Sequence, residues 1–261
     1  MRSLIIIPTY NEAMTLPALL SELLALPPAW DILIVDDASP DGTGTLADHW
    51  QRRHPLRLHV LHRLTDPGFA AALRTGLAYA VDHHYDRIYQ MDADGSHDPA
   101  ALLRLAAVLD QAAVVIGSRY MRGGATPQWP WPRRILSQGA SLYTRWWLHW
   151  PFRDSTSGFK GFRREVVQSL LTTPQYARGF GCQVEMLAIV WHQGWLIQEI
   201  PIVFHNRQQG HSKMSWPMLW EALRLVPSLR HRSAVGPPRP VPVPPAHPQS
   251  AVKRHGSHFY R

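Results

Sequence analysis

The sequence predicts an α/β protein in which a mostly parallel central sheet is covered by helices on both faces, within a single domain. Throughout the first 120 residues, short apolar runs alternate with segments whose apolar residues recur at helical spacing. This alternation favours right-handed strand–helix–strand crossovers, and therefore a parallel sheet that is buried on both faces. Hydrophobic residues form 45% of the 261-residue chain and charged residues 18%, which is typical of a globular protein.

Six strands are predicted from short apolar runs, at residues 4–7, 32–35, 58–61, 88–91, 114–116 and 196–204. The first helix is predicted to begin after Thr15, a favourable N-cap residue, and to end before Pro27 and Pro28. Further helices are predicted at residues 45–53, 69–83, 99–109, 184–192 and 215–232, with another that ends near residue 150. We predict a globular domain over residues 1–232 and a disordered, proline-rich tail over residues 233–261.

Four polar motifs directly follow predicted strands. They are PTYNE at residues 8–12, DDASPDGT at 36–43, DADG at 92–95 and GSRY at 117–120. The carboxyl ends of parallel strands meet at one edge of the sheet, where open α/β sheets bind their ligands. The four motifs therefore predict a binding site at that edge.

Two carboxylates in one of these motifs indicate a metal site. Asp92 and Asp94 are two residues apart at a strand end, so their side chains project to the same face. Their repulsion is relieved by a hard divalent cation, Mg²⁺ or Mn²⁺, which prefers oxygen ligands and bridges to phosphates. The alternative is a solvated loop in which Asp98 caps the next helix, with Pro99 at its first position.

A second acidic cluster consists of Asp36, Asp37 and Asp41. These residues are common in turns before glycine, but at a ligand-binding edge they also suit hydrogen bonds to a base or a ribose. Together with Pro8, Tyr10 and Glu12 they predict a nucleoside pocket. Because no GxGxxG or GxxxxGK[ST] motif is present, a nicotinamide dehydrogenase and a P-loop NTPase are disfavoured.

The formal net charge of +8 indicates an anionic partner: nucleic acid, an anionic lipid surface or phosphorylated substrates. No zinc-finger or RNP1-like motif is present, which makes nucleic acid the weakest of these. Trp129, Trp131, Trp146, Trp147 and Trp150 lie near arginines in the sequence, and their pattern fits either a core or a membrane interface.

The ends and the cysteine content of the chain bear on its location. No signal peptide or transmembrane run of about 18 apolar residues is present in the sequence, and there is a single cysteine. We therefore expect a cytoplasmic protein that binds peripherally to a membrane surface.

Eight motifs in order resemble those of family 2 glycosyltransferases with the GT-A fold, and within that family the dolichol- and polyprenol-phosphate mannosyltransferases. Besides PTYNE, DDASPDGT, MDADGSHDP and GSRY, they are RRILSQGASLYTR, DSTSGFKGFRR, GCQVEM and EIPIVFHNRQQGHSKMS. They extend over residues 4–215, which is most of the chain.

The resemblance implies roles for individual residues. The donor nucleotide sugar would be bound by Pro8, Tyr10, Glu12, Asp37, Asp41, Asp92, Ala93, Arg207 and Lys213. Asp92, Asp94 and Ser96 would hold the cation, and Arg119, Arg133 and Ser137 the acceptor phosphate. Ser212 belongs to the same RxxGxSK motif as Arg207 and Lys213, which closes over the donor phosphates. The groups implied in catalysis are Asp94, Arg119, Arg133, Ser137, Arg207 and Lys213.

The implied reaction is an inverting transfer of mannose from GDP-mannose to a polyprenyl phosphate. Residues 1–120 would form the nucleotide-sugar half and residues 121–232 the acceptor half. Such a reaction needs no general base, because a phosphate is already anionic, but it needs cations that orient two anions against their repulsion. Arginine suits this task through bidentate pairing with phosphate oxygens.

Three alternatives remain open at this stage. The donor is UDP-glucose or another nucleotide sugar, the acceptor is not a lipid, or the chain is an inactive scaffold that binds nucleotide sugar. A separate membrane protein that anchors the chain is also compatible with the resemblance. The sequence departs from the family at Asp66, where a lysine is usual, and in residues 140–145, which lack the usual asparagine.

Overall fold

The computed structural model describes residues 1–177, 179, 181–205 and 225–230. The predicted residues Arg207, Ser212 and Lys213 and the proline-rich tail lie outside the described residues, as does most of the predicted terminal helix. Residues 225–230 of that helix are described and are helical.

The described part of the chain forms a single sheet with helices around it. The strands are β1 (Ser3–Thr9), β2 (Asp31–Asp36), β3 (Leu58–His62), β4 (Arg87–Gln90), β5 (Val114–Ser118), β6 (Lys160–Arg163) and β7 (Ile197–Pro201). The helices are α1 (Leu16–Ala25), α2 (Thr43–Arg53), α3 (Phe69–Asp82), α4 (Ala101–Leu109), α5 (Trp131–Leu148), α6 (Arg164–Thr172) and α7 (Gly181–His192).

The strand order is β3-β2-β1-β4-β6-β5-β7, and every neighbouring pair is parallel except those that include β6. The chain order reverses between β1 and β4, which is the point where open α/β sheets leave a crevice for ligands. Because β6 runs antiparallel, its amino end lies at the same edge as the carboxyl ends of β4 and β5. The predicted α/β sheet, mostly parallel and in a single domain, is confirmed.

Two apolar layers hold the sheet between the helices. The strongly apolar strands β1 and β2 alternate their side chains between the layers, as expected for a sheet covered on both faces. One layer is built on α1, α2 and α4, and the other on α3, α6 and α7. The predicted binding edge is therefore the rim of a sheet that is buried on both faces.

Two elements, β6 and α6, were not predicted, and one predicted cap is wrong in detail. Thr15 occupies the N-cap position of α1, but it makes no capping bond, because its hydroxyl donates to the carbonyl and carboxylate oxygens of Glu12. Asp98 does accept a hydrogen bond from the Ala100 amide at 2.9 Å, in the turn that leads into α4.

The helices within the described residues include none that could span a bilayer. None of them combines the length and the apolar character that crossing a membrane requires.

Candidate active site

The four polar motifs meet at one edge of the sheet, as their positions after strands predict. The loops after β1, β2 and β4 are neighbours, since these three strands are adjacent. The loop after β5 lies one strand further on, across the amino end of β6. Within the described residues, the loops that carry the predicted donor residues and the loop that carries Arg119 thus lie on opposite sides of the loop that precedes β6.

The loops after β1 and β2 are fastened to each other. The amide of Glu12 donates to the Thr43 hydroxyl at 2.9 Å, and the amide of Ala13 donates to the Asp41 carboxylate at 3.0 Å. Burial raises the pKa of Asp41, but hydrogen bonds from Thr43 and Ala13 outweigh this effect and leave its pKa below the ordinary value. Asp41 is therefore an ionised residue that shapes the predicted nucleoside pocket.

Asp37 fixes a third loop, the one that leads into α3. Its buried carboxylate pairs with Arg63 and accepts a hydrogen bond from the Gly68 amide at 2.6 Å. Arg63 also donates to the Asp66 carbonyl at 2.7 Å. The guanidinium of Arg63 thus supplies a positive charge to the segment in which Asp66 replaces the usual lysine.

The predicted metal ligands lie together in the loop after β4. Asp94 is buried, and its carboxylate accepts a hydrogen bond from the Ser96 amide at 3.1 Å. Asp92 lies against Gly158, where an added Cβ would be only 2.8 Å from the Asp92 carboxylate oxygens. The loop before β6 therefore has to carry glycine at residue 158 to leave room for the Asp92 carboxylate.

The chemistry of this loop fits a hard divalent cation. Ser96 Oγ is buried and has no hydrogen-bond partner among the described residues, which is a position that a cation or its water would satisfy. No group of three or more His, Cys, Asp or Glu side chains in the described ranges is arranged to hold a metal. Asp92, Asp94 and Ser96 would thus supply only part of the oxygen shell and leave positions for a diphosphate.

His97 is a neutral ring that packs beneath the backbone of this loop, between the Asp92 amide and Phe159. Its Nδ1 accepts a hydrogen bond from the Asp92 amide at 3.3 Å, and its imidazole stacks on Phe159 with the ring centroids 4.8 Å apart. Burial lowers the pKa of His97 to about 4. His97 is therefore uncharged at neutral pH and holds the backbone of the loop after β4, residues 91–98, which we call the acidic loop.

Arg119 forms the centre of the predicted acceptor site. Its Nε and Nη2 donate to the two carboxylate oxygens of Asp154 at 2.8 and 2.7 Å, and Nη2 also donates to the Thr156 hydroxyl at 2.8 Å. Burial lowers the pKa of Arg119, but the Asp154 carboxylate outweighs this and raises its pKa above the ordinary value. Among the described residues, these hydrogen bonds use Nε and Nη2 of the guanidinium, and the rings of Tyr120, Trp129 and Phe204 lie around it.

The other two predicted acceptor residues lie beside Arg119. The guanidinium carbons of Arg119 and Arg133 lie 5.5 and 4.1 Å from the ring centroid of Trp129. Ser137 accepts a hydrogen bond at 2.5 Å from the hydroxyl of Tyr120, the residue that follows Arg119. The structure therefore brings Arg119, Arg133 and Ser137 together around Trp129 and Tyr120.

Several residues that support this cluster were not predicted individually. Asp154 precedes β6, and its own amide donates to Glu199 of β7 at 2.9 Å. Lys160, in β6, is fully buried and donates to the Ser157 carbonyl and to Gln183. Burial lowers the pKa of Lys160 to about 8. Their motifs were visible in the sequence, but the contacts of Asp154 with Glu199 and of Lys160 with Gln183 join residues that are far apart in the chain.

Helix α5, which carries Arg133 and Ser137, has an unusual distribution of side chains. Its buried face consists of Ser137, Ser141, Thr144 and Leu148. An outward stripe of apolar side chains is formed by Trp131, Ile135, Leu142 and Trp146, which are 74%, 61%, 64% and 68% exposed. Their spacing of 4, 7 and 4 residues places them along one line of the helix. The tryptophans of this region are thus divided: Trp131 and Trp146 are exposed, whereas Trp150 is buried.

The fold and the acidic loop at its rim define a glycosyltransferase of the GT-A type. The model of the Glycosyl transferase family 2 matches residues 4–171. The chain belongs to this family and is an enzyme that resembles the polyprenol- and dolichol-phosphate mannosyltransferases.

Three curated relatives carry this resemblance. A polyprenol monophosphomannose synthase from Mycolicibacterium smegmatis is 40% identical over 85% of this chain and 84% of its own length. An undecaprenyl-phosphate mannosyltransferase from Micrococcus luteus is 41% identical over 85% and 91% of the two chains. A dolichol-phosphate mannosyltransferase from Pyrococcus furiosus is 32% identical, and the match covers 86% of this chain and 62% of the relative.

Solved structures agree on the fold. Glucosyl-3-phosphoglycerate synthase from Mycobacterium tuberculosis, in complex with Mn²⁺, UDP-glucose and phosphoglyceric acid, superimposes with a TM-score of 0.62. It is 18% identical, and the match covers 88% of this chain and 79% of that one. The likeness supports the GT-A fold, since identity at this level speaks to fold alone.

Proposed function

We propose that the chain transfers mannose, with inversion, from GDP-mannose to a polyprenyl phosphate and so forms polyprenyl-phosphate mannose. The observation that carries this proposal is the arrangement of an acidic loop opposite two arginines, Arg119 and Arg133, across the loop before β6. The first feature suits a diphosphate bound with a cation, and the second suits a separate anion. The names of the three curated relatives support mannose as the sugar and a polyprenyl phosphate as the acceptor.

The donor would lie along the loops after β1, β2 and β4. Pro8, Tyr10 and Glu12, together with the loop held by Asp37 and Asp41, would line the nucleoside, and Ala93 lies between the two metal-binding carboxylates. Asp92, Asp94 and Ser96 would hold Mg²⁺ or Mn²⁺ against the diphosphate. A bound cation supplies Lewis acidity that stabilises the departing nucleoside diphosphate. Arg207 and Lys213 are proposed to bind the donor phosphates from the RxxGxSK motif.

The acceptor phosphate would be bound by Arg119, Arg133 and Ser137. An anionic phosphate oxygen attacks the anomeric carbon from the face opposite to the diphosphate, so the bond to the diphosphate breaks and the configuration inverts. Because the nucleophile is already charged, the residues around it have to orient it and offset its repulsion from the donor. The planar guanidinium of Arg119, locked by Asp154, is preorganised for this task.

We also propose that α5 docks on the cytoplasmic face of a membrane, where the lipid acceptor is found. The outward stripe of Trp131, Ile135, Leu142 and Trp146 offers apolar and aromatic side chains that suit the headgroup region. Arg134 and Arg145 are exposed and lie eleven residues apart, hence along one line beside that stripe. Their positive charge is complementary to anionic lipids. The same helix carries Arg133 and Ser137, so docking would deliver the lipid phosphate to the cluster.

A direct experiment tests the donor and the class of acceptor together. Purified full-length protein is incubated with a short polyprenyl phosphate and with labelled GDP-mannose, GDP-glucose or UDP-glucose, in the presence of Mg²⁺, Mn²⁺ or EDTA. We expect label in the organic phase with GDP-mannose and either metal, and none with EDTA. Label from UDP-glucose alone would refute the donor assignment, and no extractable product from any donor would refute the transfer to a lipid phosphate.

A further inference from the structure

We propose that Phe204 is a positioning residue that fixes the distance between the metal-binding loop and the acceptor-phosphate cluster. This inference rests on the proposed function, since it concerns how the two substrates are brought together. Phe204 lies beyond β7 and is buried. Phe204 is not one of the predicted substrate-binding residues. Its positioning role follows from the elements that its ring and its backbone connect.

The ring of Phe204 contacts both halves of the site. Its centroid lies 5.1 Å from that of His97, with the ring planes at 79°, and 5.3 Å from that of Trp129, with the planes at 80°. The guanidinium carbon of Arg119 lies 5.4 Å from the same centroid. The Phe204 ring therefore packs against His97, which holds the acidic loop, and against Trp129 and Arg119 of the acceptor cluster.

The backbone around Phe204 makes the same connection. The Phe204 amide donates to the Ala125 carbonyl at 2.8 Å, in the loop that carries Trp129, and the His205 amide donates to the Ser96 carbonyl at 3.0 Å. The Ala125 amide in turn donates to the Ile202 carbonyl at 3.0 Å. Residues 202–205 are thus hydrogen-bonded to the loop that carries Trp129 and to the acidic loop. They lie just before Arg207 in the sequence.

This connection matters because the reaction requires two anions at close range. Transfer needs the acceptor oxygen about 3–3.5 Å from the anomeric carbon, and a displacement of about 1 Å costs roughly a hundredfold in rate. His97 accepts a hydrogen bond from the Asp92 amide, while Trp129 packs against both Arg119 and Arg133. Since Phe204 lies between His97 and Trp129, its ring determines how far apart the bound donor and acceptor are.

An aromatic ring has properties here that an aliphatic side chain of similar volume lacks. Its face attracts the Arg119 guanidinium, and near-perpendicular rings form favourable edge-to-face contacts with it. A leucine would fill much of the space, but it offers neither a flat face nor a defined orientation. We therefore expect Phe204→Leu to preserve binding of each substrate while misplacing one relative to the other.

The test compares kinetics of Phe204→Leu, Phe204→Tyr and the control Phe152→Leu, with a short polyprenyl phosphate and GDP-mannose. Phe152 is a buried ring that packs on Trp150 and Trp191, in the apolar layer built on α3, α6 and α7. We expect Phe204→Leu to lower kcat about a hundredfold with both KM values changed less than about threefold. Phe204→Tyr, which keeps the ring, should stay within about fivefold of wild type, and Phe152→Leu should keep its kcat.

Several outcomes would overturn the inference. They are an unchanged kcat in Phe204→Leu, a change confined to one KM, equal losses in the leucine and tyrosine variants, or an equal loss in Phe152→Leu. Thermal unfolding reports whether each variant is folded, and Phe204→Met is measured in place of a leucine variant that does not fold. Wild-type protein that forms no product refutes the proposed function and the inference with it, whereas active wild type with a fully active Phe204→Leu refutes the inference alone.

Discussion

At the scale of single residues, Asp94 is the side chain on which the proposed cation site most depends. It is buried, and the Ser96 amide already orients its carboxylate. The placement of Asp92 and Asp94 just after a strand was predictable from the sequence, because a short apolar run precedes them. The packing of the neutral His97 could not be predicted from the sequence, because its partners Phe159 and Phe204 are distant in sequence and meet it only in the folded sheet.

We predict that Asp94→Ala lowers turnover about a thousandfold or more, because one oxygen ligand for the cation on the diphosphate is lost. The fold should persist, since the change removes a carboxylate at the rim of the sheet. The matched control is Asp98→Ala, which removes an exposed carboxylate four residues further along the same loop. Steady-state kinetics and thermal unfolding of both variants check this. Near-normal activity of Asp94→Ala would remove the metal assignment.

Arg133 gives a second prediction at this scale. Arg133→Ala should raise the KM for a short, water-soluble polyprenyl phosphate about tenfold or more and leave the KM for GDP-mannose unchanged, because a charge-assisted contact to the acceptor is lost. Arg134→Ala, at the exposed neighbouring position, serves as the control and should behave like wild type in this assay. An effect on donor KM alone would show that Arg133 binds the other anion.

At the scale of elements, the strand β6 and the position of the loop before it were not predicted from the sequence. The run Lys160–Arg163 contains glycine and two charged residues, so it lacks the apolar pattern by which the other strands were predicted. It forms a strand because β4 and β5 pair with it on both sides. Only this antiparallel insertion brings Asp154 to the rim, where it can lock Arg119. Sequence order alone gave no sign of that pairing.

For the buried pair of Arg119 and Asp154, we predict that substitutions can restore the stability of the protein without restoring its activity. Asp154→Asn should lower the free energy of unfolding by about 3–5 kcal/mol, because it leaves the buried Arg119 guanidinium without its counter-charge. The double variant Arg119→Met with Asp154→Leu should recover much of that loss and yet remain inactive. Denaturant unfolding and the transfer assay check this. A double variant that transfers mannose normally would exclude Arg119 from the reaction.

At the scale of the whole molecule, the net charge of +8 left the anionic partner open between lipid and phosphorylated substrates. The structure divides the surface further: a line of exposed apolar side chains runs along α5, next to Arg134 and Arg145. The sequence could not separate exposed from buried tryptophans, because α5 buries small polar residues and turns its apolar side outward. That inversion of the usual pattern is visible only once the buried face is known.

We predict that the protein binds vesicles that contain anionic phospholipid, and that Leu142→Glu weakens this binding about tenfold or more. The substitution places a negative charge in the apolar stripe, next to the lipid surface. Leu56→Glu is the control, since Leu56 is 87% exposed just before β3, at the opposite edge of the sheet. Vesicle co-sedimentation at low and high salt checks this. Equal binding of the two variants would contradict docking through α5.

The most direct test of the central claim is whether the acceptor has to be a phosphate. Initial rates are measured with GDP-mannose and Mg²⁺ for a polyprenyl phosphate and for the polyprenol of the same chain length. Because the rim offers arginines and a hydroxyl rather than a general base in the described acceptor cluster, we predict mannosyl product with the phosphate and none with the alcohol. Transfer to the alcohol at a comparable rate would contradict the proposed mechanism and the roles of Arg119 and Arg133 within it.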